Sequence, residues 1–131
     1  MKNVIRKFLK TIIIVMTLSS IHNSLNAQSN EQYIRIAEIV VDSVKLEDYK
    51  AALKEGIETA VRVEPGVISL YAVYDKIHPT HVTVFEIYAS MDTYKLHIET
   101  THFKKYKSTT MEMVKSLKLT DVMPISLASK K

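Results

Sequence analysis

The chain has 131 residues, of which 47% are hydrophobic and 24% charged, a composition typical of one globular domain. It has no cysteine and two glycines, which excludes disulfides, thiol chemistry, a lipid-modified cysteine and a glycine-rich phosphate loop. The formal charge of +4 comes from the first 27 residues, which carry four of the 18 Lys and Arg residues and none of the 14 acidic ones. The remainder is formally neutral, so the charge does not indicate nucleic-acid binding.

Residues 1–27 have the pattern of an export signal. A positively charged start is followed by the apolar run Ile12 to Leu18 and by a small-residue cleavage motif that ends at Ala27. The run is well below the roughly 20 residues that a membrane-spanning helix needs, which favours cleavage over an uncleaved membrane tether. We therefore expect a bacterial protein that is exported, periplasmic or secreted, with no stable membrane anchoring after cleavage.

The first half of the mature chain predicts a loose polar N-terminus at 28–32, a strand from Tyr33 to Val41 and a helix at about 44–63. The helix is indicated by apolar residues at three- and four-residue spacing. Gly56 interrupts it and is more typical of close helix packing than of a ligand contact. The sequence Glu64-Pro65-Gly66 ends the helix, because proline disfavours a helical residue before it and glycine tolerates a positive φ.

The next segment predicts an antiparallel hairpin. Val67 to Tyr74 is apolar on both faces, which is typical of a central strand or of one used at an interface. The loop at 75–80 is too short for a parallel crossover, so His81 to Ala89 is expected to pair antiparallel to it. Glu86 lies among apolar residues of this strand, where a carboxylate needs solvent or a partner.

Ser90 is a predicted N-cap for a helical segment in which Thr100 indicates a kink or a restart. The apolar positions expected to continue this helix are Phe103, Tyr106, Met113, Val114 and Leu117. A last strand is predicted at Leu119 to Leu127, with Pro124 at an edge or bulge. The order βαββαβ predicts a ferredoxin-like α+β sandwich over residues 33–127, followed by a tail at 128–131.

Two histidines are the first candidates for chemistry, because the unperturbed pKa of histidine lies near neutrality. His97 and His102 are five residues apart, roughly 140° on a regular helix, so they are not a ready metal pair and no metal site is predicted. A kink at Thr100 would bring either ring into one cavity with Glu86. The alternative is a structural histidine that hydrogen-bonds to the backbone.

Aromatic residues are the second feature, since rings with a hydroxyl group suit a pocket for a planar, partly polar molecule or an ordinary interface. The tyrosines concerned are Tyr71, Tyr74, Tyr88, Tyr94 and Tyr106.

Two helices on one side of a four-stranded sheet would leave an apolar sheet face uncovered. This predicts a homodimer that packs sheet against sheet.

The segments EPGVISLYAVY, FEIYAS and HIETTHFKKY together resemble the antibiotic biosynthesis monooxygenase family, including its quinol-monooxygenase-type members. The resemblance implies a ferredoxin-like fold, a dimeric α+β barrel and a pocket between sheet and helices. It also implies a small aromatic substrate, molecular oxygen as co-substrate and no cofactor, since enzymes of this family oxygenate aromatic polyketides or quinols without metal or flavin.

The resemblance also implies roles for individual residues. His102 would be the base or hydrogen-bond donor, His97 would position the substrate, and Glu86 would orient one of them. The residues implied in substrate contact are Tyr71, Tyr88, Tyr106 and Phe103. The resemblance does not extend to haem-degrading relatives, which rely on an Asn, Trp and His set, because the chain has no tryptophan, so haem degradation is disfavoured. Two alternatives remain, a non-catalytic dimeric binding module for a hydrophobic ligand and a small-molecule isomerase of the same fold.

Overall fold

The computed structural model describes residues 31–130, so the predicted export signal lies outside the described part. The strands are β1 (Tyr33–Val41), β2 (Val67–Tyr74), β3 (His81–Tyr88) and β4 (Val114–Val122). The helices are α1 (Leu46–Val63), α2 (Met91–His97) and α3 (Thr101–Thr110). Within residues 31–130, no helix is both long enough and apolar enough to cross a membrane.

The four strands form one antiparallel sheet in the order β2-β3-β1-β4. In the middle of the sheet, Ala37 on β1 lies opposite Val84 on β3 and Leu119 on β4. Alternation along the strands directs these side chains to one face, which packs against α1 through Tyr49 and Leu53. The predicted ferredoxin-like α+β fold is confirmed, with its core between the sheet and the helices.

Three predicted elements are corrected. The last strand begins at Val114 and ends at Val122, five residues earlier than predicted, and Pro124 follows it. The residues Val114 and Leu117, predicted to continue the helix, belong to this strand, because α3 ends at Thr110. β2 is an edge strand and not a central one.

The predicted interruption at Thr100 is a complete break between two helices. The Thr100 hydroxyl donates to the carbonyl of His97, the last residue of α2, at 2.7 Å. The same hydroxyl accepts the backbone N–H of Phe103 and so caps the start of α3. Thr100 therefore fixes the angle at which α3 leaves α2.

Gly66 has a different role from the one predicted, because neither glycine has a positive φ. A Cβ at Gly66 would lie 2.6 Å from the Thr93 side chain, closer than any real contact. Thr93 cannot move away easily, since its hydroxyl accepts from the backbone N–H of Ser90 in a capping box. The missing side chain at Gly66 thus lets the turn after α1 lie against the start of α2.

This contact predicts opposite effects for two Gly→Ala substitutions. Gly66→Ala should lower the free energy of unfolding by about 1–3 kcal/mol, the usual range for overpacking. Gly56→Ala is the matched control, since its Cβ would meet Tyr106 at an ordinary 3.6 Å within a helix. It should be neutral or stabilising by up to about 1 kcal/mol. Denaturant unfolding measures both, and equal effects of the two variants would contradict the role given to Gly66.

Candidate active site

A cavity of about 130 Å³ lies between the sheet and the three helices. Its walls are mainly apolar, with residues such as Ile39, Val84 and Leu119 from the sheet and Ile57 from α1. The side chains that carry polar atoms on its wall are Arg35, Glu86, Tyr88, Tyr94, His97, His102, Tyr106 and Lys107. Polar groups on an apolar wall are the usual arrangement of a small-molecule site.

Glu64 joins the two histidines. Its Oε1 atom lies 2.8 Å from Nδ1 of His97 and 2.5 Å from Nε2 of His102. His97 is buried, and the side chains of Glu64 and His102 are only 14% and 21% exposed. The break at Thr100 makes this possible, because the rings no longer follow the angular spacing of one regular helix. A carboxylate between two imidazoles can orient both rings and stabilise a positive charge on either.

The position of Glu64 follows from the turn at the end of α1. Its backbone N–H donates to the carbonyl of Ala60, and its carbonyl accepts from the N–H of Val67 as β2 begins. The Gly66 carbonyl accepts from the N–H of Ala89 at the end of β3. These bonds hold the turn between two strands and so fix the Glu64 carboxylate beside the end of α2.

Glu86 lies on the sheet side of the same cavity. Among residues 31–130, no hydrogen bond joins Glu86 to either histidine. Its Oε2 atom accepts from the Tyr88 hydroxyl at 3.0 Å. Burial raises the pKa of the Glu86 carboxyl above its ordinary value of 4.5, although the Tyr88 bond and the charge of Arg35 act in the opposite direction. Burial also raises the pKa of the Tyr88 hydroxyl. At a given pH Glu86 therefore retains its proton more than an exposed glutamate does.

Arg35 brings a positive charge to the cavity wall beside Glu86, its cross-strand partner. The guanidinium donates to Asp121 from Nε at 2.8 Å and to the Tyr94 hydroxyl from Nη1 at 2.6 Å. It also lies over the Tyr94 ring at 4.5 Å and near the Tyr33 ring at 5.1 Å. These contacts hold the charge in one place.

The predicted site residues fall into two groups. His97, His102, Glu86, Tyr88, Tyr106 and Phe103 all line the cavity. Tyr71 lies on the opposite face of the sheet, next to Phe85 in register, and is 63% exposed.

Sequence reasoning did not identify Glu64 or Arg35 as site residues, and it named Tyr94 only among the tyrosines that suit a pocket or an interface. Glu64 begins one of the three segments that carry the family resemblance, but it was assigned to a turn. A possible signal was a carboxylate immediately before Pro65 and Gly66, where no helix cap required an acidic side chain. Tyr106 is held by Tyr49, whose hydroxyl lies 2.9 Å from its own, so it also contributes to packing between α1 and α3.

The raised pKa of Glu86 predicts a pH-dependent effect of Glu86→Gln. Because the folded protein holds this proton more tightly than the unfolded chain, its free energy of unfolding falls as pH rises through the folded-state pKa. The variant has no such proton to lose. The Tm of the variant minus the Tm of the native protein should therefore be more positive at about pH 7 than at about pH 4. Thermal unfolding at both pH values measures it, with Glu47→Gln, at a position 83% exposed, as the matched control. A Tm difference that is independent of pH would contradict the prediction.

Comparisons with known proteins agree with this architecture. A family model described as "Antibiotic biosynthesis monooxygenase" matches residues 32–109. A candidate antibiotic biosynthesis monooxygenase from Bacteroides thetaiotaomicron is 48% identical, with a TM-score of 0.74, over 77% of this chain and 96% of that one. No curated protein matches the chain.

Two more distant structures are similar in fold. A candidate monooxygenase from Lactobacillus acidophilus is 25% identical, with a TM-score of 0.70, over 72% of this chain and 45% of that one. A candidate antibiotic biosynthesis monooxygenase from Nitrosomonas europaea is 23% identical, with a TM-score of 0.68, over 72% of this chain and 90% of that one. The family model covers more than half of the chain, which confirms the resemblance seen in the sequence. The chain therefore belongs to the antibiotic biosynthesis monooxygenase family.

Proposed function

We propose that this protein is a cofactor-independent monooxygenase that oxidises a quinol-like or polyphenolic aromatic molecule with molecular oxygen. Membership of the family supports a monooxygenase-type function on a small molecule. The observation that carries the finer proposal is that His97 and His102, which line a mainly apolar cavity, share the Glu64 carboxylate as their hydrogen-bond partner. A base in such surroundings can form a phenolate away from bulk water, where charges interact strongly.

The size of the cavity favours a quinol over a multi-ring polyketide. Its volume of about 130 Å³ is close to the roughly 150 Å³ of an apolar cavity that holds one benzene ring. One reacting ring therefore fits between the sheet and the helices. Leu117 and Leu119, which line the cavity from the edge strand β4, are half exposed, so substituents of the ring can extend past them.

In the proposed reaction His102 accepts the proton of a quinol hydroxyl, and Glu64 stabilises the imidazolium that forms. The quinolate gives one electron to O₂, and the resulting semiquinone and superoxide combine at a ring carbon as a peroxide anion. This anion takes the proton back from His102 and becomes a hydroperoxide. Cleavage of the O–O bond with loss of water leaves a carbonyl on that carbon. One quinol and one O₂ thus give one hydroxyquinone and one water, and the four electrons taken up by oxygen come from the ring.

The sheet side of the cavity supplies the remaining groups. Glu86, whose pKa is raised by burial, is suited to give a proton to the departing hydroxide. Arg35 is held beside it and stabilises the negative charge of the quinolate. Tyr88, Tyr106 and Phe103 present aromatic surface to the ring.

Replacement of His102 tests the proposal. His102→Ala should reduce kcat/KM for oxygen uptake with a menadiol-type quinol by about 100-fold or more, the usual contribution of a general base. His78→Ala, at an exposed position in the β2–β3 loop, is the matched control and should keep full activity. An oxygen electrode measures both.

The outcomes separate the proposal from its alternatives. Uptake that is unchanged in His102→Ala would remove this residue from the mechanism. The mainly apolar cavity would also serve a non-catalytic binding module. This becomes the better interpretation if the native protein takes up no oxygen with any of a panel of quinols. A phosphorylated sugar derivative that is isomerised would instead support the isomerase.

We further propose that the chain acts as a homodimer outside the cytoplasm. The sheet face opposite the helices carries Tyr71 and Val73, which are 63% and 62% exposed, beside half-buried Ile36 and Phe85. A second copy would cover this apolar surface. Export is supported by the sequence pattern of residues 1–27.

Mass spectrometry of protein from the cell envelope or medium tests both points. Under denaturing conditions the chain should have the mass of residues 28–131, because cleavage is expected after Ala27. Under native conditions the mass should be twice that value. A native mass of one chain would contradict the dimer, and an intact N-terminus would contradict cleavage.

A further inference from the structure

We propose that Glu64, His97 and His102 also form a binding site for one divalent first-row transition metal ion, of the kind represented by Zn²⁺. The inference goes beyond the proposed function, which uses the same residues without a metal. It rests on three donor atoms, Oε1 of Glu64, Nδ1 of His97 and Nε2 of His102, that all lie within 4.8 Å of one another.

The donor set is suited to this class of ion. Two imidazole nitrogens and one carboxylate oxygen bind Zn²⁺ in catalytic sites that have three protein ligands, and the same set binds other first-row ions. Alkaline-earth ions prefer sites made of oxygen ligands alone. Three protein donors leave a coordination position open, and His97 and His102 face the cavity that a small molecule would enter.

The spacing of the two nitrogens from the Glu64 oxygen requires little change. Ligand atoms of a tetrahedral zinc ion lie about 3.3 Å apart, as follows from metal–ligand distances of about 2.0–2.1 Å. The Glu64 oxygen lies 2.8 Å and 2.5 Å from the two nitrogens. In this arrangement protons occupy the space between the donors. An ion would replace those protons while the oxygen moves away from each ring by less than about 1 Å.

Two of the three ligands, Glu64 and His97, are also held in place independently of any ion. Glu64 is fixed by the turn that packs through Gly66 against Thr93. The His97 ring lies between the rings of Tyr88 and Phe103, at centroid distances of 5.3 Å and 4.9 Å. A preformed site lowers the entropy lost when a ligand binds, and its partial burial distinguishes it from acidic clusters on the surface.

Cobalt titration of the full chain, purified without a histidine tag and freed of metal with a chelator, tests the proposal. Co²⁺ should give visible d–d absorption that saturates at one ion per chain and is abolished by Zn²⁺. Glu64→Gln removes the charge of the carboxylate, and His102→Gln removes the ring ligand. Both variants keep a polar side chain of similar size. Each should weaken Co²⁺ binding by about 100-fold or more, since loss of an outer-shell partner alone costs about 10–100-fold.

The other three histidines of the chain provide the control. His78 and His81 have ring centroids 5.7 Å apart and are themselves capable of weak metal binding. The combined variant His22→Ala, His78→Ala and His81→Ala should retain the full Co²⁺ signal. The proposal is wrong if millimolar Co²⁺ gives no signal, if the signal survives in both Gln variants, or if it disappears in the triple variant.

The test of the metal site is independent of the test of the proposed function. The first follows Co²⁺ absorption, and the second follows oxygen uptake by metal-free protein. A metal ion would occupy the electron pairs that His102 needs as a base, so Zn²⁺ is expected to inhibit uptake. Oxygen uptake that requires the metal would support the site and overturn the cofactor-independent part of the proposed function. Uptake by metal-free protein without any Co²⁺ signal would support the proposed function and overturn the metal site.

Discussion

One oxygen atom of the Glu64 carboxylate lies within hydrogen-bond distance of both His97 and His102, and the helical side of the molecule is arranged around this contact. A largely buried carboxylate is costly unless hydrogen-bond donors replace the water that it loses. Two imidazole rings can provide those donors only if the ends of α1 and α2 and the start of α3 converge. The same contact therefore contributes to tertiary packing and to the chemistry of the cavity.

The helices and the sheet contribute different groups to the cavity. The helices bring His97 and His102, which share Glu64 as a hydrogen-bond partner, whereas the sheet brings the Glu86–Tyr88 pair and the charge of Arg35. Proton acceptors and a carboxyl whose pKa is raised by burial thus line one cavity but belong to separate hydrogen-bonding groups. This separation is what acid–base chemistry on a single small molecule requires, since donor and acceptor must not neutralise one another.

The local pattern of the sequence was sufficient for most of the fold. Apolar periodicity predicted β1, α1, β2 and β3, and Thr100 correctly indicated the break after His97. The last strand was misplaced because Val114 and Leu117 fit a helical spacing as well as an alternating one. Pairing with β1, in which Leu117 lies opposite Ile39, decides between the two and is not visible in a local window.

The site was less predictable for a related reason. His97 and His102 could be selected by residue type, but their common partner is 33 and 38 residues away in the chain. Glu86 was the expected partner because it is a carboxylate inside an apolar strand, yet its nearest hydroxyl, on Tyr88 two residues along the same strand, satisfies it. Which carboxylate meets a histidine depends on how α1 ends against α2, which follows from the close approach of Gly66 to Thr93.

The edge strand β4 has a consequence for how specificity in this chain can change. Leu117 and Leu119 line the cavity from a strand that has a neighbour on one side only, and both remain about half exposed. Side chains there contribute little to the buried core, so changes in their size or polarity reshape the entrance at low cost in stability. If the proposed function holds, a library of variants confined to Leu117 and Leu119 would alter substrate range, whereas Asp121 of the same strand has to be kept because it holds Arg35 in place.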